Sequence, residues 1–354
     1  MLGLVAAACG DDDDKASTGG GGSSGDEAGT ADLGTAKAPS GELRLGYFPN
    51  VTHAPAIIGV DDGIFQDKLG DAELKPQTFP TGTEAVEALE SNSIDATFIG
   101  PNPAINGFAR SQEVGGDLRI VAGTTSGGAA LVVSSAITSP EDLAGKTLAS
   151  PSLGNTQDVA LRAWLKDKGY ETDQTGGGDV KIVNQENADT LTAFQGGQID
   201  GAWVPEPWAT RLVLEGGGHV LVDEKELWPD GQFVTTHLIV RTDYLEAHPE
   251  NVRALIDGLL DSIDKANADA ATAQKTTNDG IEALTQKRLK DETIQGAWES
   301  LTFTWDPIAS SLNKSKDDAV AVGLLDDVDL DGIYSLDILN DLLKARGEAE
   351  VEGL

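Results

Sequence analysis

At 354 residues, with 39% hydrophobic content and six tryptophans, the chain is long enough for two domains, or for two lobes of one. Its 59 acidic and 25 basic residues give a formal charge of −34, and no Lys/Arg cluster exists to neutralise phosphates. That argues against nucleic acid and against a basic membrane-surface patch, and the lone cysteine excludes intrachain disulfides, a CxxC metal site and a buried catalytic thiol.

The chain opens on Leu2-Gly3-Leu4-Val5-Ala6-Ala7-Ala8-Cys9-Gly10, a short apolar run ending in small residues before cysteine. It is too short to span a bilayer. The positively charged segment that precedes such a run in a secretion signal is missing, so the true start is expected upstream. Residues 10–40 are low in complexity, with Asp11–Asp14, Gly19–Gly22 and scattered Ser and Thr. That composition predicts a flexible, solvated tether.

A folded body is expected from residue 41. Glu42–Tyr47 alternates as a strand, Phe48–His53 turns, and Ala54–Phe65 reads as a helix. A strand is read at Glu73–Phe79, though Pro76 within it weakens that reading. A helix at Thr83–Leu89, a strand at Ile94–Ile99, a Gly100-Pro101-Asn102-Pro103 loop, a helix at Ala104–Arg110 and a strand at Leu118–Gly123 complete a β-α alternation. It predicts a parallel, doubly wound α/β lobe. Thr124–Gly128 breaks the pattern, and Ala129–Val133 is another strand.

A second α/β run starts at Ser139. Its most informative stretch is Ser150-Pro151-Ser152-Leu153-Gly154-Asn155-Thr156-Gln157-Asp158, a small-residue loop leading into a helix that ends before Gly169. Asn155 is a good N-cap, with Asp158 three residues on. The loop is either a well-capped helix start or an anion site built on free N–H groups and the positive end of the helix dipole. Strands follow at Val180–Val183, Ile199–Trp203 and His219–Val222, with a helix at Ala188–Phe194 and a sharp Val204-Pro205-Glu206-Pro207-Trp208 turn. Thr235–Val240 is one more strand, and a long helix runs from Pro249 to about Gln274 with shorter ones after it. Asp326–Asp331 lacks the ligand spacing and glycine of an EF-hand loop and reads as a solvated acidic turn.

Two successive α/β lobes, joined by strands near 129–133 and 235–240, put small and polar loops at the carboxyl ends of their strands. Such loops facing each other make a hinged cleft. Lobe 1 is assigned to 41–130 plus 238–354, and lobe 2 to 131–237.

Five stretches resemble the extracytoplasmic substrate-binding proteins of ABC importers for sulfonates, taurine and nitrate. They are Leu45-Gly46-Tyr47-Phe48-Pro49-Asn50, Ile94-Asp95-Ala96 leading to Gly100-Pro101-Asn102-Pro103, Ser139-Pro140-Glu141-Asp142-Leu143-Ala144-Gly145-Lys146-Thr147, Ser152-Leu153-Gly154-Asn155-Thr156, and Asp200-Gly201-Ala202-Trp203-Val204-Pro205-Glu206-Pro207-Trp208. The resemblance covers about 42–260 strongly, and within that branch it is nearest to proteins binding aliphatic sulfonates. It implies a type II periplasmic-binding-protein-like fold, with two doubly wound α/β lobes, a two-strand hinge and a helical C-terminus. The start around Cys9 resembles a lipobox, which implies lipidation of Cys9 and an anchor on the outer face of the membrane.

By that resemblance the ligand is a small anion or zwitterion held by uncharged donors, a membrane permease is the partner, the chain is monomeric, and no cofactor or metal is needed. Asn155, Thr156 and Gln157 would act at the helix N-terminus. Asn50, Thr52 and His53 would act from lobe 1, with Gly100, Pro101 and Asn102 from the next loop and His237 behind them. Ser126, Gly127 and Gly128 would offer backbone N–H groups. Trp203 would either cover the organic part of the ligand or pack in the core, and Glu206 would either meet an amine or cap a helix. Trp208 reads as a packing residue. Thiamine-pyrimidine synthases share this fold but need a cysteine-rich stretch that this chain lacks. A ligand sensor would need a signalling segment after the body.

Overall fold

The computed structural model describes residues 37–111 and 117–354, so Cys9 and most of the expected tether lie outside the described residues. Eleven strands form among the described residues: β1 (Glu42–Tyr47), β2 (Glu73–Thr78), β3 (Ala96–Ile99), β4 (Leu118–Gly127), β5 (Ala129–Val133), β6 (Thr147–Ser150), β7 (Lys181–Asn184), β8 (Gly201–Pro205), β9 (His219–Asp223), β10 (Val234–Arg241) and β11 (Leu301–Phe303). They make two sheets, β11-β4-β10-β3-β1-β2 and β7-β6-β8-β5-β9.

The two sheets share one plan. In each, the second, first and third strands of the lobe run parallel (β2-β1-β3 and β7-β6-β8). The next strand is antiparallel: β10 in the first sheet and β5 in the second. The sheets are therefore mixed rather than all-parallel as the β-α alternation predicted. In each sheet the reversed strand beside the parallel trio follows a crossing from the other lobe, which periodicity cannot reveal, and β11 at the edge of the first sheet is reversed as well.

Each sheet is covered on both faces. In lobe 1 one face packs Leu43, Leu45, Ile57, Phe65, Phe98, Leu255 and Leu259. The other packs Phe79, Val86, Ile105, Phe108, Ile120 and Ile239. Lobe 2 repeats this with Leu131, Leu148, Leu161, Trp164 and Trp203 on one side and Val132, Leu191, Phe194 and Val204 on the other. Burial on both faces explains why β5 (AALVV) is apolar throughout rather than alternating. Pro76 sits in β2, at the edge of its sheet, where a missing N–H costs least.

The chain crosses between sheets at Gly128 and returns between Asp223 and Val234. Gly128 has φ 72°, a left-handed backbone conformation that favours glycine. Thr124–Gly127, expected to break the pattern, continues β4 because β10 and β11 flank it. The return crossing precedes β10, so Val234–His237 belongs to the first sheet and the boundary expected after 237 falls inside a strand.

Three helices also differ from expectation. The helix expected at 54–65 is split at Asp62-Gly63, where Gly63 is left-handed (φ 74°). The expected 249–274 helix is two, Pro249–Ala268 and Ala270–Thr285, broken at Asp269, whose carboxylate accepts from the Thr272 N–H (3.1 Å) and restarts the helix. The helix expected from Ala104 begins at Pro101, with Asn102 and Pro103 in its first turn, where a proline's missing N–H has no helical partner to lose.

Candidate functional site

Between the lobes lies a cavity of about 40 Å³. Lobe 1 contributes Asn50, Thr52, His53 and Gly100, and lobe 2 contributes Asn155, Thr156 and Gln157. The Thr156–Asp167 helix aims its N-terminus at this space, as its loop sequence predicted. Asn155 caps it, with Oδ1 accepting from the Asp158 N–H at 3.1 Å. Asp158 does not close a capping box on Asn155. Its buried carboxylate instead accepts from Gly154 N (3.0 Å), Ser150 Oγ (2.6 Å), Asn184 Nδ2 (2.9 Å) and Arg162 Nε (2.9 Å).

The cavity lining contains no lysine, arginine or carboxylate. Its one titratable side chain, His53, is held neutral. Burial lowers its pKa to about 3, and its Nδ1 accepts from the Phe48 N–H (3.4 Å). Thr156 Oγ1 is buried without a hydrogen-bond partner. A buried unpaired hydroxyl costs free energy, and an arriving acceptor or donor would remove that cost. The lobes meet around the cavity. Trp208 Nε1 donates to Asn50 Oδ1 (3.0 Å), Asn106 Nδ2 donates to Gly154 O (3.2 Å), and Thr52 N lies 3.5 Å from Glu206 O.

The other predicted residues lie elsewhere. Pro101 is in the first turn of its helix, and Asn102 is turned to Ser315 O (3.0 Å). Ser126 and Gly127 end β4, and Gly128 makes the crossing to β5. The Gly127 N–H is used by Phe233 O (3.3 Å) and the Gly127 carbonyl accepts from Thr235 Oγ1. Trp203 is fully buried in lobe 2, its Nε1 donating to Glu224 Oε2 (2.7 Å) and its ring edge-on to Trp164. A large apolar side chain on a central strand goes to the core, and its N–H takes a buried partner. His237 is buried in lobe 1, where Nε2 meets Pro307 O (3.1 Å). Burial lowers its pKa to about 4.

Glu206 lines a separate cavity of about 390 Å³ with Ala129, Thr210 and Ser300. Its carboxylate accepts from Thr210 N (3.1 Å) and Oγ1 (2.9 Å), which is the capping role, and from Ser300 Oγ of lobe 1 (3.3 Å). Desolvation raises its pKa to about 7 against the opposing pull of those bonds. A carboxyl whose pKa is raised on folding favours the folded state when protonated. That contribution is complete below the unfolded pKa and is lost as pH rises through about 7. Glu206→Gln is therefore expected to match the wild type at pH 5 and to exceed it by about 2 kcal/mol at pH 8, read by urea unfolding at both values. Equal stability at pH 8 would mean that the carboxylate carries no burial cost.

Sequence reasoning missed Gly82, Pro103, Pro205, Thr235 and Thr236 of the cavity wall. Thr235-Thr236 lies near the start of β10, where the chain re-enters lobe 1. Two adjacent threonines ahead of the apolar Leu238-Ile239-Val240 run were the available signal.

The body has two lobes with matching mixed sheets that meet around a small cavity lined by neutral donors. The profile of the NMT1-like family matches residues 36–278, and the chain belongs to that family. The Taurine-binding periplasmic protein of Escherichia coli (strain K12) is 34% identical over 209 residues, 59% of this chain and 62% of that protein. The Bicarbonate-binding protein CmpA of Synechococcus sp. is 26% identical over 244 residues, 62% of this chain and 52% of that one. The match thus spans less than two thirds of either relative. Among solved structures, the alkanesulfonate-binding protein SsuA from Xanthomonas axonopodis pv. citri superposes with a TM-score of 0.67 at 20% identity, covering 82% of this chain and 96% of that one. The nitrate-binding protein NrtA from Synechocystis PCC 6803 gives 0.69 at 16%, covering 87% and 89%. At these identities the structures show the fold: two α/β lobes of the periplasmic-binding-protein type with a helical C-terminus.

Proposed function

We propose that the chain is the extracytoplasmic substrate-binding component of an ABC importer, capturing a small anion, an aliphatic sulfonate, between its lobes and delivering it to a membrane permease. The carrying observation is the helix N-terminus at Asn155-Thr156 facing Asn50, Thr52 and Gly100 across the 40 Å³ cavity, with Thr156 Oγ1 unpartnered. Backbone and hydroxyl donors at a dipole's positive end suit an oxyanion, and several are needed to replace its hydration. The neutral lining suits a receptor that must also release its cargo. The role is binding, as in the named relatives, rather than catalysis. No helix among the described residues is long and apolar enough to cross a membrane, and Cys9 is proposed as the lipid anchor that keeps a monomeric receptor at the membrane.

A thermal-shift and calorimetric panel of methanesulfonate, taurine, nitrate, bicarbonate and pyrimidines tests the reading. Binding of a sulfonate supports it, and stabilisation by pyrimidines alone overturns it. Nitrate or bicarbonate as the preferred ligand would move the chain to the alternative its bicarbonate- and nitrate-binding relatives represent. Asn155→Ala is expected to weaken anion binding by roughly tenfold, because the amide fixes the N-terminal turn that presents the N–H donors. Unchanged affinity by calorimetry would remove Asn155 from the site.

A further inference from the structure

The two crossings are not the only links between the lobes. After β11 the chain runs through Thr304-Trp305-Asp306-Pro307-Ile308 into a helix at Ala309–Ala321. The run before the helix is fixed to lobe 1. Gly123 N of β4 donates to Trp305 O (2.9 Å), and His237 Nε2 of β10 meets Pro307 O (3.1 Å). The helix packs against both the Pro101–Ser111 helix of lobe 1 and the Thr156–Asp167 helix of lobe 2. These are the two helices that start at the Gly100–Thr156 contact. Asn102 Nδ2 of the first donates to Ser315 O (3.0 Å), and Lys166 Nζ of the second donates to Ala321 O. Between them the helix touches the return crossing. Val234 N donates to Ser311 Oγ (3.2 Å), and Lys314 Nζ lies 4.8 Å from the centre of the Trp228 ring. At its base, Ile308 has φ 45° and ψ 59°. Among the described residues it is the only β-branched one in the left-handed region, where two substituents on Cβ crowd the backbone. Its neighbours impose this. Ile308 N donates to Asp306 Oδ1 (2.8 Å), and Ile308 O accepts from Ser311 N and Oγ (both 2.8 Å). The Ile308 side chain is half-buried and belongs to neither lobe's apolar core.

Building on the receptor reading, we propose that the Ala309–Ala321 helix is a clip across the two lobes, and that closure loads backbone strain into its base at Ile308. When the lobes part, the Thr156–Asp167 helix leaves the clip. The clip helix is then free to turn about residues 307–309, and Ile308 relaxes. The strain therefore opposes closure and assists release of the ligand. One residue held in such a conformation shifts an equilibrium by roughly tenfold. That is enough to bias the empty chain toward the open form, while a ligand with stronger contacts in the closed form outweighs it.

The test places spin labels on the full chain through Thr83→Cys and Thr192→Cys, in a Cys9→Ser background. Thr83 and Thr192 are exposed helical residues of lobe 1 and lobe 2. Pulsed electron resonance reads the distance between the labels in the ligand-free chain, and hence the ratio of closed to open forms. Ile308→Gly is expected to raise that ratio roughly tenfold, because glycine adopts the left-handed conformation without strain. Ile308→Asn is expected to raise it several-fold, since asparagine tolerates this region, and Ile308→Val, still β-branched, to match the wild type. Titration with methanesulfonate is expected to show tighter binding to Ile308→Gly by the same factor as the ratio. An unchanged ratio in both Ile308→Gly and Ile308→Asn overturns the clip. Urea unfolding would then show both variants stabilised, as strain common to the open and closed forms requires. A ratio that rises as far in Ile308→Val overturns it too, because side-chain bulk rather than strain would be the cause. Failure of methanesulfonate to bind counts against the anion reading alone, and the distances in the ligand-free chain still decide the clip.

Discussion

Gly100→Leu is expected to lower ligand affinity by about a hundredfold while leaving lobe 1 folded. Gly100 follows β3 and faces Thr156 of the other lobe. A Cβ there would lie 2.4 Å from Thr156 Oγ1 and 3.5 Å from Thr156 Cβ. Its backbone is not in the left-handed region, so a side chain brings no conformational strain, only bulk. Leucine would put three further carbons into the space held by the N-terminus of the Thr156–Asp167 helix. The lobes must then stand apart, and the Asn50–Trp208 and Asn106–Gly154 hydrogen bonds must lengthen or break. A ligand favours closure only by what it gains there over the open state, so a wedge of about 3 kcal/mol against closure appears almost whole in the affinity. Calorimetry reads the affinity, urea unfolding checks that stability is kept, and small-angle scattering reads the larger radius of gyration. Unchanged affinity would mean that Gly100 and Thr156 do not meet in the bound state.

What the sequence made legible follows from which forces act locally. The strand and helix pattern of both lobes rests on apolar periodicity and turn residues, which are near-neighbour properties. Asn155 was readable as a cap because capping involves residues three apart. The mixed sheet order was not readable, because β5 and β10 are reversed by crossings of the chain and β11 joins its sheet from the distant C-terminal region. Site residues divide the same way. Asn50, Thr52, His53, Gly100, Asn155, Thr156 and Gln157 sit on the loops and first helical turns that follow strand ends, where the fold alone brings them to the cleft. Trp203 and His237 lie within strands, where one face or the other is interior, and the alternation could not say which. Asn102 differs again. Its loop became a helical turn, which swung the amide onto Ser315 of the C-terminal helices, some two hundred residues on. Glu206 illustrates a conflict of two local readings, cap and ligand contact. The cap prevails because Thr210, one turn on, offers both an N–H and a hydroxyl.

Asp158→Asn is expected to destabilise the protein by about 3–5 kcal/mol, the largest stability loss of any single site discussed. The carboxylate is fully buried and accepts from four groups on four different segments: Ser150 at the end of β6, Asn184 at the end of β7, Gly154 in the loop and Arg162 one turn along the helix. Arg162 is almost as buried, and its remaining bond goes from Nη1 to Asp173 O (2.6 Å). Asparagine has one acceptor oxygen where aspartate has two, so its amide nitrogen would face either Ser150 and Asn184 or Gly154 and Arg162. Either way a buried donor loses its acceptor, and Arg162 is left as an uncompensated interior charge. Removing both charges avoids that cost, so Asp158→Leu combined with Arg162→Met is expected to recover much of the loss. Urea unfolding of wild type, Asp158→Leu, Arg162→Met and the double variant forms the cycle that separates the pair from its surroundings. The same carboxylate holds the Gly154 N–H, and through it the loop that presents Asn155 and Thr156. The folded fraction of Asp158→Asn is therefore expected to bind anions more weakly as well. A single variant within 1 kcal/mol of wild type would show that the network is dispensable, and the helix N-terminus would then be fixed by Asn155 alone.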